Sequence, residues 1–269
     1  MTARACLLLS TLLLAATATL VAQSPCTPPE EMKPRLQGKP TVEALNDLGV
    51  WFGDHQQFDC AANVFATSLQ TNPNQKDAPH VAFEFGVSLE LSGDTKEAIP
   101  ALQEAEQLGY RDLKLHVILA QALNATHAAK DAEAEWRQAL QFDPEFSAAL
   151  DALSSDLLAD KDFAGVIAAL EVPRLLGQRT PLQCLNLAAA YNGAGKPEEA
   201  ARVLRDGLNT SADSLAIANQ LAATLIELHR RDEALALLEL TVAQHPDDEE
   251  AKAMLAKVRD AISSKPPAP

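Results

Sequence analysis

The residues that most often carry out chemistry in proteins form no recognisable reactive pattern in this sequence. Its six histidines are widely separated, at His55, His80, His116, His127, His229 and His245. None belongs to a His-Glu-x-x-His pattern, which would place two zinc ligands on one helical face, and no Cys-x-x-Cys pair occurs. We therefore expect neither a metal site nor a cofactor.

Nucleophilic and phosphate chemistry have equally little support. The Gly-x-Ser-x-Gly pattern of many hydrolases is absent, and the glycines fall mostly where helices end rather than in a phosphate-binding loop. The acidic run at 247–250, Asp-Asp-Glu-Glu, is typical of a helix start, because the helix dipole favours negative charge there. We expect that the chain is not an enzyme, although a serine or cysteine whose partners meet only in the fold stays open.

The elements that would position any functional residue are helical hairpins. In the stretch 187–204, Leu187, Ala188 and Tyr191 lie along one side of a helix that Gly195 can end. Pro197 suits the first turn of a following helix, in which Ala200 and Leu204 face back toward the first helix. Small residues at such positions let two helices approach closely.

This unit recurs along the chain. Intervals of 34 residues separate five equivalent positions: Ala98, Ala132, Val166, Ala200 and Ala234. Ala61 lies 37 residues before Ala98, which indicates a short insertion near 74–78. A second column of larger residues keeps the same phase, at Phe65, Leu102, Trp136, Leu170, Leu204 and Leu238.

The pattern resembles the tetratricopeptide repeat family, whose repeats are 34-residue helix pairs with a characteristic series of small and large residues. Six units match in one phase, at 42–75, 79–112, 113–146, 147–180, 181–214 and 215–248. The resemblance implies an all-α fold, a right-handed solenoid of antiparallel helix pairs. An amphipathic segment at 249–262 is expected to cap the last repeat, and 263–269 to form a disordered tail.

The fourth repeat departs most from the pattern. It has Val166 where alanine is expected, and Pro173 late in its second helix. Because proline removes a helix hydrogen bond and clashes with the preceding turn, we expect a shortened or kinked helix and a local change in the superhelix.

The resemblance also implies a binding groove, lined by the second, fifth, ninth and twelfth residues of each repeat. Most members of this set are amides or apolar residues, and one is a lysine, so a site for a terminal carboxylate is not expected. Amides can pair with the backbone of an extended peptide, and apolar residues could anchor it. The candidates are Asn46, His80, Phe83, Lys114, Gln121, Asn124, Leu182, Leu185, Asn192 and Asn219. The alternative is that the amides are merely solvated and Phe83 packs between hairpins.

The N-terminus is a separate region. Residues 1–22 contain one early arginine, an apolar run and then small residues, which is typical of a secretory signal, although an uncleaved membrane anchor stays open. Residues 23–41 contain five prolines and are expected to form an extended linker. Export to the periplasm or outside the cell would follow, with contact to a membrane only through an uncleaved segment.

The cysteines allow two interpretations. Cys26 could pair with Cys60 because the linker is flexible, but the pattern favours Cys60 and Cys184 as small core residues of the first and fifth repeats. Those two lie too far apart along a solenoid to pair with each other.

The net charge of the chain limits the classes of partner that we expect. The net charge is −15, with 22 basic and 37 acidic residues, which argues against nucleic acid as a partner. We expect an exported scaffold that binds a protein or peptide, basic or apolar in character. The alternatives are a self-assembling homo-oligomer of the cell envelope and an accessory subunit of an envelope enzyme or secretion complex.

Overall fold

A computed structural model of the chain describes residues 26–171, 179–211 and 214–263. All regular secondary structure in these ranges is helical: 13 α-helices and one short 3₁₀-helix, Lys33–Leu36. No strand occurs in the described ranges. The predicted all-α fold is therefore confirmed.

Twelve of the α-helices form six consecutive pairs, and the pairs follow the 34-residue units, except that α3 begins one residue before the second unit. The pairs are α1 (Val42–Asp54) with α2 (Phe58–Thr71), α3 (Ala78–Ser92) with α4 (Thr95–Gln107), α5 (Leu113–Ala125) with α6 (Ala129–Phe142), α7 (Ser147–Ala159) with α8 (Phe163–Leu170), α9 (Pro181–Gly193) with α10 (Pro197–Thr210), and α11 (Leu215–Glu227) with α12 (Arg231–Gln244). Each helix packs on the next, and first helices of neighbouring pairs also touch, as α7 and α9 do.

The two columns that define the repeat in the sequence are the core of each pair. Every member of the small-residue column is completely buried: Ala61, Ala98, Ala132, Val166, Ala200 and Ala234. In the column of larger residues, no side chain is more than 3% exposed. The 34-residue spacing thus records the contacts that hold the two helices of each pair together.

A third column lies at the turn inside each pair, where one residue adopts the left-handed conformation. These residues are Gln56, Gly93, His127, Lys161, Gly195 and His229, with φ between 59° and 95°. Glycine adopts this conformation without a steric penalty, whereas a residue with a Cβ atom does so at a cost of roughly 1 kcal/mol. Four of the six turns therefore carry local backbone strain.

The segment before α1 is not the extended linker that the prolines predict. Cys26 is joined to Cys60 of α2 by a disulfide, with Cα atoms 5.4 Å apart. Met32 and Leu36 pack on the core of the first pair, and an Arg35 nitrogen lies 2.6 Å from an Asp47 oxygen. The prediction was wrong because these contacts hold the segment on the first helix pair.

The favoured interpretation of the cysteines is corrected in part. Cys60 is buried, at 4% exposure, but it is disulfide-bonded rather than a free core thiol. Cys184 is the buried free thiol that the pattern indicated. Burial raises the pKa of the Cys184 thiol, which favours the unreactive protonated form.

The fourth pair has the expected short second helix. The helix α8 has 8 residues, whereas the second helices of the other pairs have 13 or 14. Pro173 lies outside the described residues. Beyond that gap, the Arg179 side chain donates two hydrogen bonds, of 2.8 and 2.9 Å, to the Leu170 carbonyl oxygen. The guanidinium therefore supplies the donors that a further helical turn would have supplied.

The last helix, α13 (Glu249–Ser263), packs on α11 and α12. It buries Ala251, Leu255 and Val258 on the final pair, so it covers the apolar face that a seventh pair would otherwise cover. The predicted tail was 263–269, but Ser263 is the last residue of α13. The rest of that tail, 264–269, and the predicted signal, 1–22, lie outside the described residues. In the described part of the chain, no helix combines the length and apolar character that a membrane span needs.

Candidate functional site

The surface that could bind a partner is formed by the first helix of each pair. We call it the groove face, and define it by the second, fifth, ninth and twelfth residues of each repeat on α1, α3, α5, α7, α9 and α11. Four of the predicted site residues are open to solvent on this face: His80, Lys114, Gln121 and Leu182. Asn124 and Leu185 are half-buried.

Three predicted amides are occupied by contacts within the protein. The Asn46 amide donates to Gln75 at 2.9 Å and its carbonyl accepts from the Ser68 hydroxyl. Asn219 is buried and donates to an Asp248 carboxylate oxygen at 2.8 Å. The Asn192 amide is 3.4 Å from the Thr224 hydroxyl oxygen. The Asn192 contact joins the fifth repeat to the sixth, whereas the Asn46 and Asn219 contacts lie within the first and the sixth repeat. In all three residues the amide nitrogen is already engaged inside the protein, so it is not free to pair with the backbone of a peptide.

The same kind of contact joins the fourth and fifth pairs. The Gln183 amide donates to Asp151 at 2.7 Å, and the Asn186 amide donates to the hydroxyls of Ser154 and Ser155. Gln183 and Asn186 are both buried. Buried polar groups of this kind are stable only when paired, so they specify how one repeat docks on the next.

Phe83 is also part of the interior rather than an anchor for a ligand. It is 5% exposed, and its ring stacks on that of Tyr110 with the centroids 4.4 Å apart. Phe83 thus packs inside the protein, as the alternative held for this residue, whereas three of the amides are not merely solvated. The sequence cannot separate the two cases, because a groove position and a core position lie only one residue apart on the helix.

A pocket of about 320 Å³ opens on the groove face between the first two repeats. Its walls come from α1, α2 and α3, and they include predicted groove positions together with neighbours that the sequence did not single out. The lining residues are Gly49, Val50, Gly53, Asp54, Phe58, Phe65, His80, Glu84, Val87, Ser88 and Leu91.

Two carboxylates face this pocket, Asp54 at the end of α1 and Glu84 on α3. Desolvation raises the pKa of Glu84, and the charge of Asp54 raises it further. His80, with Nε2 3.7 Å from a Glu84 oxygen, and Lys114 on α5 oppose that shift in the Glu84 pKa. The pocket therefore combines aliphatic walls with a partly desolvated negative charge.

The repeat pattern does not identify Glu84, Asp54 or Leu91, because each lies one residue beyond a groove position. No local motif marks them. Over the residues that the structure describes, no group of three or more histidine, cysteine, aspartate or glutamate side chains is arranged to hold a metal ion.

Comparisons with known proteins agree with this architecture. Residues 191–258 match the family model described as tetratricopeptide repeat. A tetratricopeptide repeat protein from Parabacteroides merdae ATCC 43184 superposes with a TM-score of 0.54 at 13% identity, over 82% of this chain and 87% of that one. The MamA protein superposes with a TM-score of 0.53 at 12% identity, over 72% of this chain and 100% of that one. At such low identity, these two likenesses bear on the fold alone.

No curated protein sequence matches the chain. The match to residues 191–258 agrees with the two buried columns that recur in the six units and with the stacked helix pairs. The described chain therefore has the fold of a tetratricopeptide repeat solenoid, and its residues 191–258 match that family's model.

Proposed function

We propose that this protein is a scaffold that binds a segment of another protein on its groove face. The observation that carries the proposal is the pocket between the first two repeats, where exposed Val50 and Leu91 lie beside a partly desolvated carboxylate. Solvent-exposed aliphatic side chains around a pocket are common where a protein receives a partner. Repeat solenoids also offer long continuous surfaces for such contacts.

Exposed leucines lie both on the groove face beyond the pocket and at the pocket itself. Leu182 on α9 is 44% exposed, and Leu91, which lines the pocket on α3, is 56% exposed. Two leucines elsewhere have comparable exposure, Leu108 at 41% and Leu240 at 56%. Leu108 follows α4 and Leu240 lies on α12, so both lie away from the first helices. The chain thus offers two matched pairs of leucines on different faces.

These pairs make a controlled test. Affinity capture from an extract of the source cells would compare the wild type, the double variant Leu91→Ser with Leu182→Ser, and the double variant Leu108→Ser with Leu240→Ser. We expect a specific set of proteins to be lost only with the first variant. Equal capture by both variants would contradict a binding role for the groove face. Capture of the chain alone, with concentration-dependent light scattering, would point instead to self-assembly.

We infer further that the protein works outside the cytosol. Two observations support this: the signal-like composition of residues 1–22 and the Cys26–Cys60 disulfide, a bond that persists mainly in oxidising compartments. Trapping of free thiols in intact cells, followed by peptide mapping, tests it. Cys26 and Cys60 should be recovered as a bonded pair. Recovery of both as free thiols from freshly lysed cells would contradict export.

A further inference from the structure

The pocket between α1 and α3 exists because one groove position lacks a side chain. Gly53 is the twelfth residue of the first repeat, and a Cβ atom placed there would have no neighbour within 4 Å. The equivalent position carries a side chain in every other repeat: Glu90, Asn124, Leu158, Asn192 and Ile226. Gly53 lines the pocket, so the missing side chain leaves open space at its α1 wall.

The walls of the pocket are aliphatic and partly exposed. Val50, one turn before Gly53 on α1, is 48% exposed, and Leu91 on α3 is 56% exposed. Val87 lines the same side as Leu91 and is half-buried. Side chains in this arrangement can pack on the methylene groups of a long side chain whose polar end reaches deeper.

The charge at the pocket is negative, and it is placed where the fold disfavours it. Asp54 is the last residue of α1, where the helix dipole opposes negative charge. The Glu84 side chain is only 33% exposed, and its nearest basic group is His80 at 3.7 Å. In the described part of the chain, neither carboxylate has a hydrogen-bonded basic partner. Groups that cost stability in this way are characteristic of sites whose purpose is binding.

We propose that this pocket receives a lysine or arginine side chain of a partner polypeptide, flanked by an aliphatic residue. This inference rests on the proposed scaffold function and names the partner chemistry at its first two repeats. The cation would meet Asp54 and Glu84, while its methylene stem would lie on Val50, Val87 and Leu91. The net charge of −15 would also favour the approach of a basic segment.

The raised pKa of Glu84 allows a binding role of this carboxyl group to be distinguished from a structural role. A bound cation would stabilise the ionised carboxylate, which desolvation and Asp54 now disfavour. Substituting the carboxylates by amides should therefore weaken binding but not the fold. Loss of affinity with equal or higher thermal stability separates a binding role from a merely structural one.

The test uses the full chain and a phage-displayed library of random peptides. Peptides selected on the wild type would be sequenced, synthesised and titrated by calorimetry against four variants. Gly53→Leu fills the pocket, and Asp54→Asn and Glu84→Gln remove its charge without changing its shape. Ala216→Leu is the matched control, because Ala216 is an exposed groove-face residue of the last repeat. Circular dichroism would confirm that all variants keep the wild-type helicity.

We expect the selected peptides to share a lysine or arginine beside an aliphatic residue. Affinity should fall about tenfold or more with each pocket variant and stay unchanged with Ala216→Leu. Replacing the basic residue of the peptide by norleucine should weaken binding to the wild type. It should weaken binding to Glu84→Gln much less, since the interacting carboxylate is already gone.

Three results would overturn the inference, and they differ in whether the scaffold function still stands. Peptides without a basic residue, or peptides that still bind Gly53→Leu, would refute the pocket assignment. If those peptides were lost when Leu182 was replaced by serine, the scaffold function would stand. Failure of the wild type to select any peptide would overturn both this inference and the groove-face function.

Discussion

Cys26 and Cys60 are joined by a disulfide that closes a loop of 34 residues around the start of the solenoid. The bond holds the segment containing Met32 and Leu36 on the core of the first helix pair. Among the described residues no helix pair precedes the first one, and this segment packs on the first pair as α13 packs on the last. At the first end a disulfide and packing together hold the covering segment, whereas at the other end packing alone holds α13.

Removing this bond should destabilise the first pair selectively. A loop of 34 residues corresponds to about 3–4 kcal/mol in the chain-entropy account of disulfides. We expect Cys26→Ser to speed amide hydrogen exchange in α1 and α2 and to leave α11 and α12 unchanged. Cys184→Ala serves as the control, since it should affect α9 and not α1. Equal protection of α1 in Cys26→Ser and the wild type would contradict this role.

Two glycines on α1 should respond in opposite ways to the same substitution. A Cβ atom at Gly49 would lie 2.5 Å from Cε1 of Phe65, whereas at Gly53 it would meet nothing within 4 Å. Gly49→Ala should lower the free energy of unfolding by about 1–3 kcal/mol, through overpacking. Gly53→Ala should raise it by up to about 1 kcal/mol, because alanine favours the helix. Urea unfolding of the two variants measures the difference in their free energies of unfolding. Equal effects would contradict the close approach of Phe65 to Gly49.

Substitutions at two of the left-handed turn residues should change stability in opposite directions. Lys161 and Gly195 occupy the same position in successive repeats, with φ of 60° and 72°. Lys161→Gly should stabilise the protein by about 0.5–1 kcal/mol, because the strain of the Cβ atom is removed. Gly195→Ala should destabilise it by about 1–2 kcal/mol. Chemical denaturation checks both signs, and a destabilised Lys161→Gly protein would show that its turn is not strained.

Asn219 and Asp248 link the last pair to the start of α13, and their contact should depend on charge. The hydrogen bond from Asn219 is the main cause that lowers the pKa of Asp248 below its ordinary 3.8. A lowered pKa contributes stability above the unfolded value, and that stability is lost as the pH falls through the folded value.

The variant Asn219→Asp would place two carboxylates together at neutral pH. We expect its melting temperature to fall by about 2–4 °C at neutral pH. The difference from the wild type should shrink once the pH falls below about 4, as the carboxyls take up protons. Asn209→Asp is the control, since Asn209 is an exposed asparagine near the end of α10. An equal loss in both variants would mean that the Asp248 contact is not responsible.

Glu84 should have the opposite pH dependence. Its pKa is raised above 4.5, so the folded state holds the proton more tightly than the unfolded state does. The stability linked to this carboxyl is greatest below the unfolded pKa and is lost as the pH rises through the raised folded pKa. Glu84→Gln should therefore raise the melting temperature at neutral pH, by up to about 3 °C, and have little effect in acid.

Glu104→Gln provides the comparison for Glu84→Gln, because Glu104 is an exposed glutamate in the middle of α4. We expect this control to leave the melting temperature within about 1 °C of the wild type at all pH values. A lower melting temperature for Glu84→Gln at neutral pH would show that the carboxylate supports the fold and is not placed there at a cost.

The repeat architecture was predictable from the sequence because it depends on local spacing. Ala98, Ala132 and Ala200 are buried for one reason, a close helix contact repeated every 34 residues. A contact that repeats in this way is visible in the sequence even when each unit alone is a weak match. The short α8 was also predictable, since Val166 and Pro173 both depart from the pattern.

The candidate site was much less predictable. Phe83 and His80 are both groove positions of the family, yet one is buried against Tyr110 and the other is exposed. The difference depends on how neighbouring helices cross, which a spacing rule does not contain. Cys26 is a similar case: its partner is fixed by where the N-terminal segment packs, and the prolines of that segment indicated no packing.

The side-chain contacts between neighbouring repeats limit how the sequence of such a protein can evolve. The junctions use different partners: Asp151 with Gln183 between the fourth and fifth repeats, and Asn192 with Thr224 between the fifth and sixth. A repeat moved to another place in the chain would bring a buried amide to a neighbour that cannot pair with it, at a cost of about 1–3 kcal/mol. Although the six units share one backbone plan, they are not interchangeable modules. Deletion, duplication or exchange of a single unit would therefore be selected against, even where the 34-residue period was preserved.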